Sequence, residues 1–291
     1  MTNENFHKVG SGQAGERLDR FLSRVAGIGL RAARRMAEGG LAQVDGSACP
    51  PGYKLRDGQV VTLEGRDGSQ EMVGAPRLLL ADERYVAFFK PSGLNTVSLA
   101  GGGGPSLEGA LAVLRPGRQV ILVNRLDRDT SGVVLGAVDE ACARRFRELE
   151  DLGQVDKRYL ALVLGAFPGP LVLKWALDTA DRAKVRVLPT QTPTELRWTR
   201  VRPLAYMNAG GDRTLVEARI AKGARHQIRA HLARAGFPIA GDALYGEGQG
   251  AGLKLHHWCV RFPGFQAAVA PAWEEVETVS EFFMEENPCV S

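Results

Sequence analysis

Asp127 is the residue whose setting first suggests chemistry. It follows the apolar run Val120 to Val123, which reads as a strand, in the stretch Asn124-Arg125-Leu126-Asp127-Arg128-Asp129-Thr130-Ser131-Gly132. A carboxylate at a strand end, flanked by arginines and entering a Thr-Ser-Gly turn, is placed as catalytic groups often are. Burial favours the neutral form of a carboxylate, so such a group needs a fixed positive partner. A plainer reading makes Asp127 or Asp129 an ion-paired turn residue. Arg17-Leu18-Asp19-Arg20 repeats the same four residue types inside an amphipathic helix, so those four letters alone decide nothing.

Other chemistries find little support. The segment Asp129-Thr130-Ser131-Gly132 has no second Asp-Thr/Ser-Gly with which to share a proton, which argues against an acid-protease dyad. Gly101 to Gly104 is followed by Pro105-Ser106 and lacks the lysine of a phosphate-cradling loop. The glycines of 246–252 follow no strand that opens a helix, so no nucleotide cofactor is expected. His226 and His231 are five apart with no Glu between them, and His256, His257 and Cys259 have no second cluster. No metal is expected. Cys49, Cys142, Cys259 and Cys289 are far apart, reading as reduced thiols.

The elements that must position Asp127 fall into two groups. Residues 1–15 are polar and read as a flexible arm. Leu18, Phe21, Leu22 and Val25 then recur at helical spacing. A second helix over Leu30 to Glu38 carries Arg31, Arg34 and Arg35 on one face, where they could grip successive phosphates, and stops at Gly39-Gly40. Short strands are expected at Leu41 to Val44 and Gln59 to Leu63, so 16–64 forms a small helix, helix, strand, strand unit. Residues 65–76 are Gly-rich and aperiodic, a linker to a second domain over 77–285. There, strands at Tyr85 to Phe89, Val133 to Val138, Tyr159 to Leu164 and Leu215 to Ile220 mix with helices at Glu140 to Leu149 and His226 to Ala235. The absence of strict alternation predicts an α+β fold with a mixed, largely antiparallel sheet.

Length and charge agree with this division. The 291 residues suit one large or two modest domains, with 44% hydrophobic residues, enough for a real core. No apolar run approaches the roughly 18 residues of a membrane span, and the start lacks a secretory pattern, so a cytoplasmic protein without membrane contact is expected. The formal net charge is +4, yet residues 271–291 hold six acidic residues and no Lys or Arg. Residues 1–270 therefore carry 37 basic against 27 acidic residues, a surplus of ten, which favours a polyanionic partner.

Two families resemble parts of this chain. Arg17 to Leu22, the basic helix, Gly40 to Gly46 and Leu55 to Val60 are similar to the small alpha-L RNA-binding domain, with Leu30-Arg31 where Ser-Arg is usual. Asn124 to Gly132 resembles the His-Arg-Leu-Asp-x-x-Thr-Ser-Gly pattern of RluA-type pseudouridine synthases, and three further blocks follow the family's order. They are Asp82 to Leu94, Lys157 to Gly165, and Gly223-Ala224-Arg225-His226-Gln227-Ile228-Arg229 continuing to Gly241-Asp242 and Tyr245-Gly246. Asn124 stands where His is usual, and Ala224-Arg225 replaces Arg-Thr.

The resemblance implies an RNA pseudouridine synthase that breaks the bond from ribose to the base nitrogen, turns the uracil, and rejoins it through carbon without a cofactor. It implies that Asp127 acts on ribose or base, paired with Arg229, while Arg125 holds the RNA or the loop. Tyr159 would stack on the uracil and assist proton transfer from carbon, and Ile228 would line its other side. The target must be extruded from its stack. Structured RNA, most of all ribosomal RNA, is the expected partner, and the protein is expected to be a monomer. Two rivals remain: a non-catalytic RNA-binding or assembly factor that keeps the fold, and a hydrolase, which would want paired carboxylates.

Overall fold

A computed structural model of the chain describes residues 6–25, 30, 33–34, 37, 42–63, 75–98, 106–181, 183–208, 211–246, 252–277 and 279. The chain divides into two compact units, residues 1–73 with 99–105 and residues 74–98 with 106–291.

The first unit is a four-stranded antiparallel sheet in the order β1 (Phe6–Lys8), β4 (Val60–Leu63), β2 (Ala42–Val44), β3 (Ser47–Ala48), with helix α1 (Leu18–Val25). Leu18, Phe21 and Leu22 of α1 join Val9, Val44, Leu55 and Val61 in its core. Residues 6–15 are therefore not the flexible arm expected from their polarity. Phe6 to Lys8 pair with Thr62 to Val60, and Val9 is fully buried with its N–H on the Gln59 carbonyl. Three residues are too few to show alternation, and a neighbouring strand supplies what the local pattern lacks. Leu30, Ala33, Arg34 and Ala37 are helical; the rest of the expected second helix, with Arg31 and Arg35, and residues 65–74 of the expected linker lie outside the described residues.

The larger unit is built on a ten-stranded sheet. Its main path runs β10 (Leu171–Leu173), β13 (Thr199–Met207), β14 (Arg213–Ile220), β9 (Asp156–Leu164), β15 (Leu255–Phe262), β8 (Ser131–Ala137), β6 (Tyr85–Lys90), β5 (Arg77–Ala81). β16 (Phe265–Ala268) pairs with β15 and β7 (Ile121–Leu122) with β8. Every pairing is antiparallel except β15 with β8, so the fold is α+β with a mixed, largely antiparallel sheet, as the sequence predicts. A separate hairpin joins β11 (Trp175–Asp178) to β12 (Arg186–Gln191).

Residues alternate between the faces of the sheet, as the two-residue period of a strand requires. On one face, Phe88, Val134, Tyr159, Ala161 and Val216 pack with Leu107 of α2 (Leu107–Leu114) and with Ile228 and Leu232 of α4 (Gln227–Arg234). On the other, Tyr85, Ala87, Val133 and Leu135 pack with Ala143, Phe146 and Leu149 of α3 (Glu140–Asp151). A short helix, α5 (Glu274–Glu277), follows. Among the described residues no helix is long and apolar enough to cross a membrane.

Candidate active site

Asp127 lies in the segment between β7 and β8, and the backbone around it is fastened carbonyl by carbonyl. Thr96 Oγ1 donates to Leu126 O at 2.8 Å and accepts from Leu126 N at 3.0 Å. The Thr130 N–H bonds Asp127 O at 3.2 Å. The Lys90 ammonium, fully buried at the end of β6, donates to Arg128 O, Pro91 O and Leu94 O at 2.7 to 3.0 Å, and Ser92 Oγ donates to Asp129 O at 2.8 Å. Four successive carbonyls, 126 to 129, thus have named donors. Burial pulls the Lys90 pKa down to about 8 against the charges of Asp129 and Asp127.

The Thr-Ser-Gly end of the segment is fixed by β15. Gly132 has φ +119°, and a Cβ there would meet the His257 carbonyl oxygen at 2.2 Å and its nitrogen at 2.6 Å, so only glycine fits. Ser131 Oγ bonds His256 Nδ1 at 2.8 Å, while His256 Nε2 donates to Val269 O at 2.8 Å. Burial lowers the pKa of His256 to about 4 and that of His257 to about 3, so both rings are neutral. At the position where the resemblance leads one to expect His, Asn124 Oδ1 accepts the Leu135 N–H at 2.7 Å, so this departure supports the loop from within.

Helix α4 brings the positive partner. Arg229 Nη1 donates to Asp127 Oδ2 at 3.1 Å, while its Nε and Nη2 grip both oxygens of Asp242 at 2.8 Å each. The Asp242 side chain is wholly buried and also accepts from the N–H groups of Leu244 and Tyr245. Burial would lower the Arg229 pKa, but its bonds to Asp242 and the charges of Asp242 and Asp127 raise it above the ordinary value. For Asp242, burial pushes up and the Arg229 contact pulls down harder, leaving the carboxyl below the usual range. His226 caps α4 with Nε2 3.8 Å from Asp127 Oδ2 and Nδ1 3.1 Å from the Tyr245 hydroxyl.

These groups line one pocket. Asp127, Arg125, Thr130, Tyr159, His226, Ile228 and Arg229 face it, with Leu126 and Leu255 among its apolar walls. Tyr159 stacks on His257, ring centroids 4.4 Å apart, and burial together with the Asp127 charge raises its phenol pKa. The larger unit therefore brings together five residues singled out from the sequence: Asp127, Tyr159, Arg229, Arg125 and Ile228. Arg34 lies in the first unit with its Nε on the buried Asp19 at 2.9 Å, beside Arg17, and its side chain is half exposed. The two ion pairs hold Asp19 well below the carboxylate range. Among the described residues no group of three or more His, Cys, Asp or Glu side chains converges as a metal-ligand set.

Sequence reasoning did not assign roles to Asp242, His226, Tyr245, Lys90 or Thr96. The first four lie inside the quoted blocks, where their presence was legible and their partners were not. Thr96 lies just beyond the block that ends at Leu94.

A family model for RNA pseudouridylate synthases matches residues 84–234, over half of the chain. This chain belongs to the RNA pseudouridylate synthase family. The synthase isomerises uridine to pseudouridine in RNA, and the chain is 34% identical to ribosomal large subunit pseudouridine synthase C of Yersinia pestis, covering 87% of this chain and 86% of that protein. It is 33% identical to the protein of the same name from Escherichia coli K12, covering 81% and 77%. Among solved structures, human RNA pseudouridylate synthase domain containing 1 shares the fold, with a TM-score of 0.58 at 21% identity, over 69% of this chain and 86% of that one. In the synthase, the matched region includes Asp127, Tyr159 and Arg229 together.

Proposed function

We propose that this synthase modifies specific uridines of structured ribosomal RNA, that of the large subunit, with Asp127 as the carboxylate that acts on the target nucleotide. The carrying observation is the 3.1 Å contact of Arg229 Nη1 with Asp127 Oδ2 inside a pocket walled by Tyr159 and Ile228. A guanidinium held by Asp242 keeps its charge in that setting and leaves Asp127 Oδ1 for the nucleotide. Tyr159 then offers the uracil a flat face, Ile228 meets the base from α4, and the exposed Arg125 engages backbone phosphate of an extruded nucleotide. The choice of ribosomal RNA rests on the names of the similar proteins from Yersinia pestis and Escherichia coli.

The test is tritium release from RNA labelled at uridine C5, comparing the parent with Asp127→Asn. Loss of release in the variant is expected; equal release refutes the assignment. The first unit is proposed to bind RNA through Arg31, Arg34 and Arg35. Replacing Arg31 and Arg35 by Ala should reduce the slope of log affinity against log salt by about 0.7 to 0.9 for each phosphate that is no longer neutralised. The further reading, a monomer working in the cytoplasm without a nucleotide cofactor, is tested by its elution volume, by fractionation and by activity in nucleotide-free buffer.

A further inference from the structure

The hairpin β11–β12 forms a two-stranded sheet of its own, apart from the ten-stranded one, and the reaction as read above uses none of its residues. Three residues strap it to α4 and to the segments on either side of that helix. Arg225 Nη2 donates to Thr179 O at 3.1 Å and to Asp181 O, both in the turn of the hairpin. The N–H of Val185, a buried residue at the end of that turn, donates to the Tyr245 hydroxyl at 2.8 Å. Toward the base of the hairpin, His231 Nε2 of α4 donates to Trp175 O at 3.0 Å.

The carboxylates of the hairpin are engaged within it. Asp178 Oδ2 pairs with Arg186 at 2.8 Å and its Oδ1 accepts the Ala180 N–H at 3.0 Å, while Asp181 Oδ1 accepts the Ala183 N–H at 2.8 Å. Lys184 has no such partner: it is exposed and makes no ion pair among the described residues. Its ammonium stands 5.2 Å from the centre of the Tyr245 ring, and the Arg229 guanidinium carbon lies 5.4 Å from the centre of the same ring. Lys184 is thus one ring away from the arginine that pairs with Asp127.

The departure at 224–225 bears on the same hairpin. Ala224-Arg225 stands where the family pattern has Arg-Thr. Ala224 lines the pocket, whereas Arg225, next in the chain, reaches the hairpin turn. The displaced basic residue therefore holds the hairpin rather than facing the pocket.

We propose that the turn of β11–β12 is an arm that grips the RNA backbone beside the extruded uridine: the Lys184 ammonium contacts a phosphate, and Arg225 is the positioning residue that holds the arm. The backbone of a nucleotide turned into the pocket has to pass over its rim. An ammonium is a compact charge with three rotatable donors, so it meets a phosphate oxygen without a fixed orientation. Because the arm is fastened before RNA arrives, little ordering of the turn is lost on binding. This inference rests on the reading of the Asp127 pocket as the seat of the target nucleotide.

The experiment uses the full chain and total RNA tritiated at uridine C5, taken from cells lacking the protein. Single-turnover tritium release is followed against protein concentration over a range of salt. Lys184→Gln should raise the half-saturating concentration about 5- to 8-fold at about 0.1 M salt and lower the slope of log affinity against log salt by about 0.7 to 0.9, the share of one phosphate. The rate at saturation should stay parental, and Lys184→Arg should keep the parental affinity. Arg225→Ala should give a similar loss of affinity at the parental saturated rate. Lys184→Gln added to Arg225→Ala should weaken binding little further, since a misplaced arm has already lost the contact. Parental affinity and slope in Lys184→Gln overturn the proposal, and so does a fall in its saturated rate with affinity unchanged. Losses that multiply in the double variant overturn the positioning role of Arg225. Asp127→Asn run in parallel should release nothing; if it releases tritium, the Asp127 reading falls, whatever Lys184→Gln does to affinity.

Discussion

Replacing Asp242 by Asn tests whether the buried carboxylate behind Arg229 holds the site together. The substitution keeps the shape and removes the charge from a wholly buried group that meets Arg229 through two bonds of 2.8 Å. Removing one partner of a buried ion pair costs about 3–5 kcal/mol. The low end applies, about 3 kcal/mol, because Asp127 remains 3.1 Å from the guanidinium and the amide oxygen still accepts one bond. For a unit of this size the melting temperature moves about 2–4 °C per kcal/mol, so a fall of about 6–12 °C is expected near neutral pH. The pH dependence carries the sharper signature. Because the folded state holds Asp242 below the usual carboxylate range, its contribution is full above the unfolded pKa of about 4 and is lost as pH falls through the lower folded value. The gap between parent and variant should therefore be constant above about pH 5 and close toward acid. Melts followed by circular dichroism across that range, with tritium release at pH 7, make the measurement. Equal melting temperatures at pH 7, or a gap that widens toward acid, would refute the reasoning.

Three further expectations follow from other contacts. Gly132→Ala should cost about 4 kcal/mol or more, seen as a drop in soluble yield, because the new methyl group meets the His257 backbone at 2.2 Å and backbone cannot step aside. Asn124→Ala should lower stability by about 1–3 kcal/mol in urea melts by stranding the Leu135 N–H, whereas a loop role confined to RNA contact would leave the melt unchanged. Buried neutral His256 and His257, with folded pKa values of about 4 and about 3 against about 6.5 unfolded, make the unfolded state bind more protons below pH 6.5. Stability should fall toward acid by about 1.4 kcal/mol per pH unit for each ring, and His257→Phe should remove one ring's share of that slope.

Much of the architecture was legible because strands and helices leave their periods in the sequence. The two faces of β9 and the apolar face of α4 come from spacing that local geometry imposes. Residues 6–8 escaped because a three-residue strand has no period to read; its partner Val60–Leu63 decides it. Arg229 could be paired with Asp127 only through the resemblance. Nothing in the local pattern says that the same guanidinium is gripped by Asp242, since that bond depends on how the turn after α4 packs against the helix.

Two stretches with identical letters show where sequence stops. Arg17-Leu18-Asp19-Arg20 and Arg125-Leu126-Asp127-Arg128 carry the same side chains. In the first, helix α1 buries Asp19 completely between Arg17 and Arg34, a structural tie. In the second, Thr96, Lys90 and Ser92 hold an extended loop so that Asp127 stays partly open beside Arg229. The sequence by itself determined the reaction family, through ordered blocks, and the α+β class, through periodicity. Only tertiary structure decided which aspartate faces a pocket, because exposure and charge partners come from segments distant along the chain and leave no mark on their neighbours in sequence.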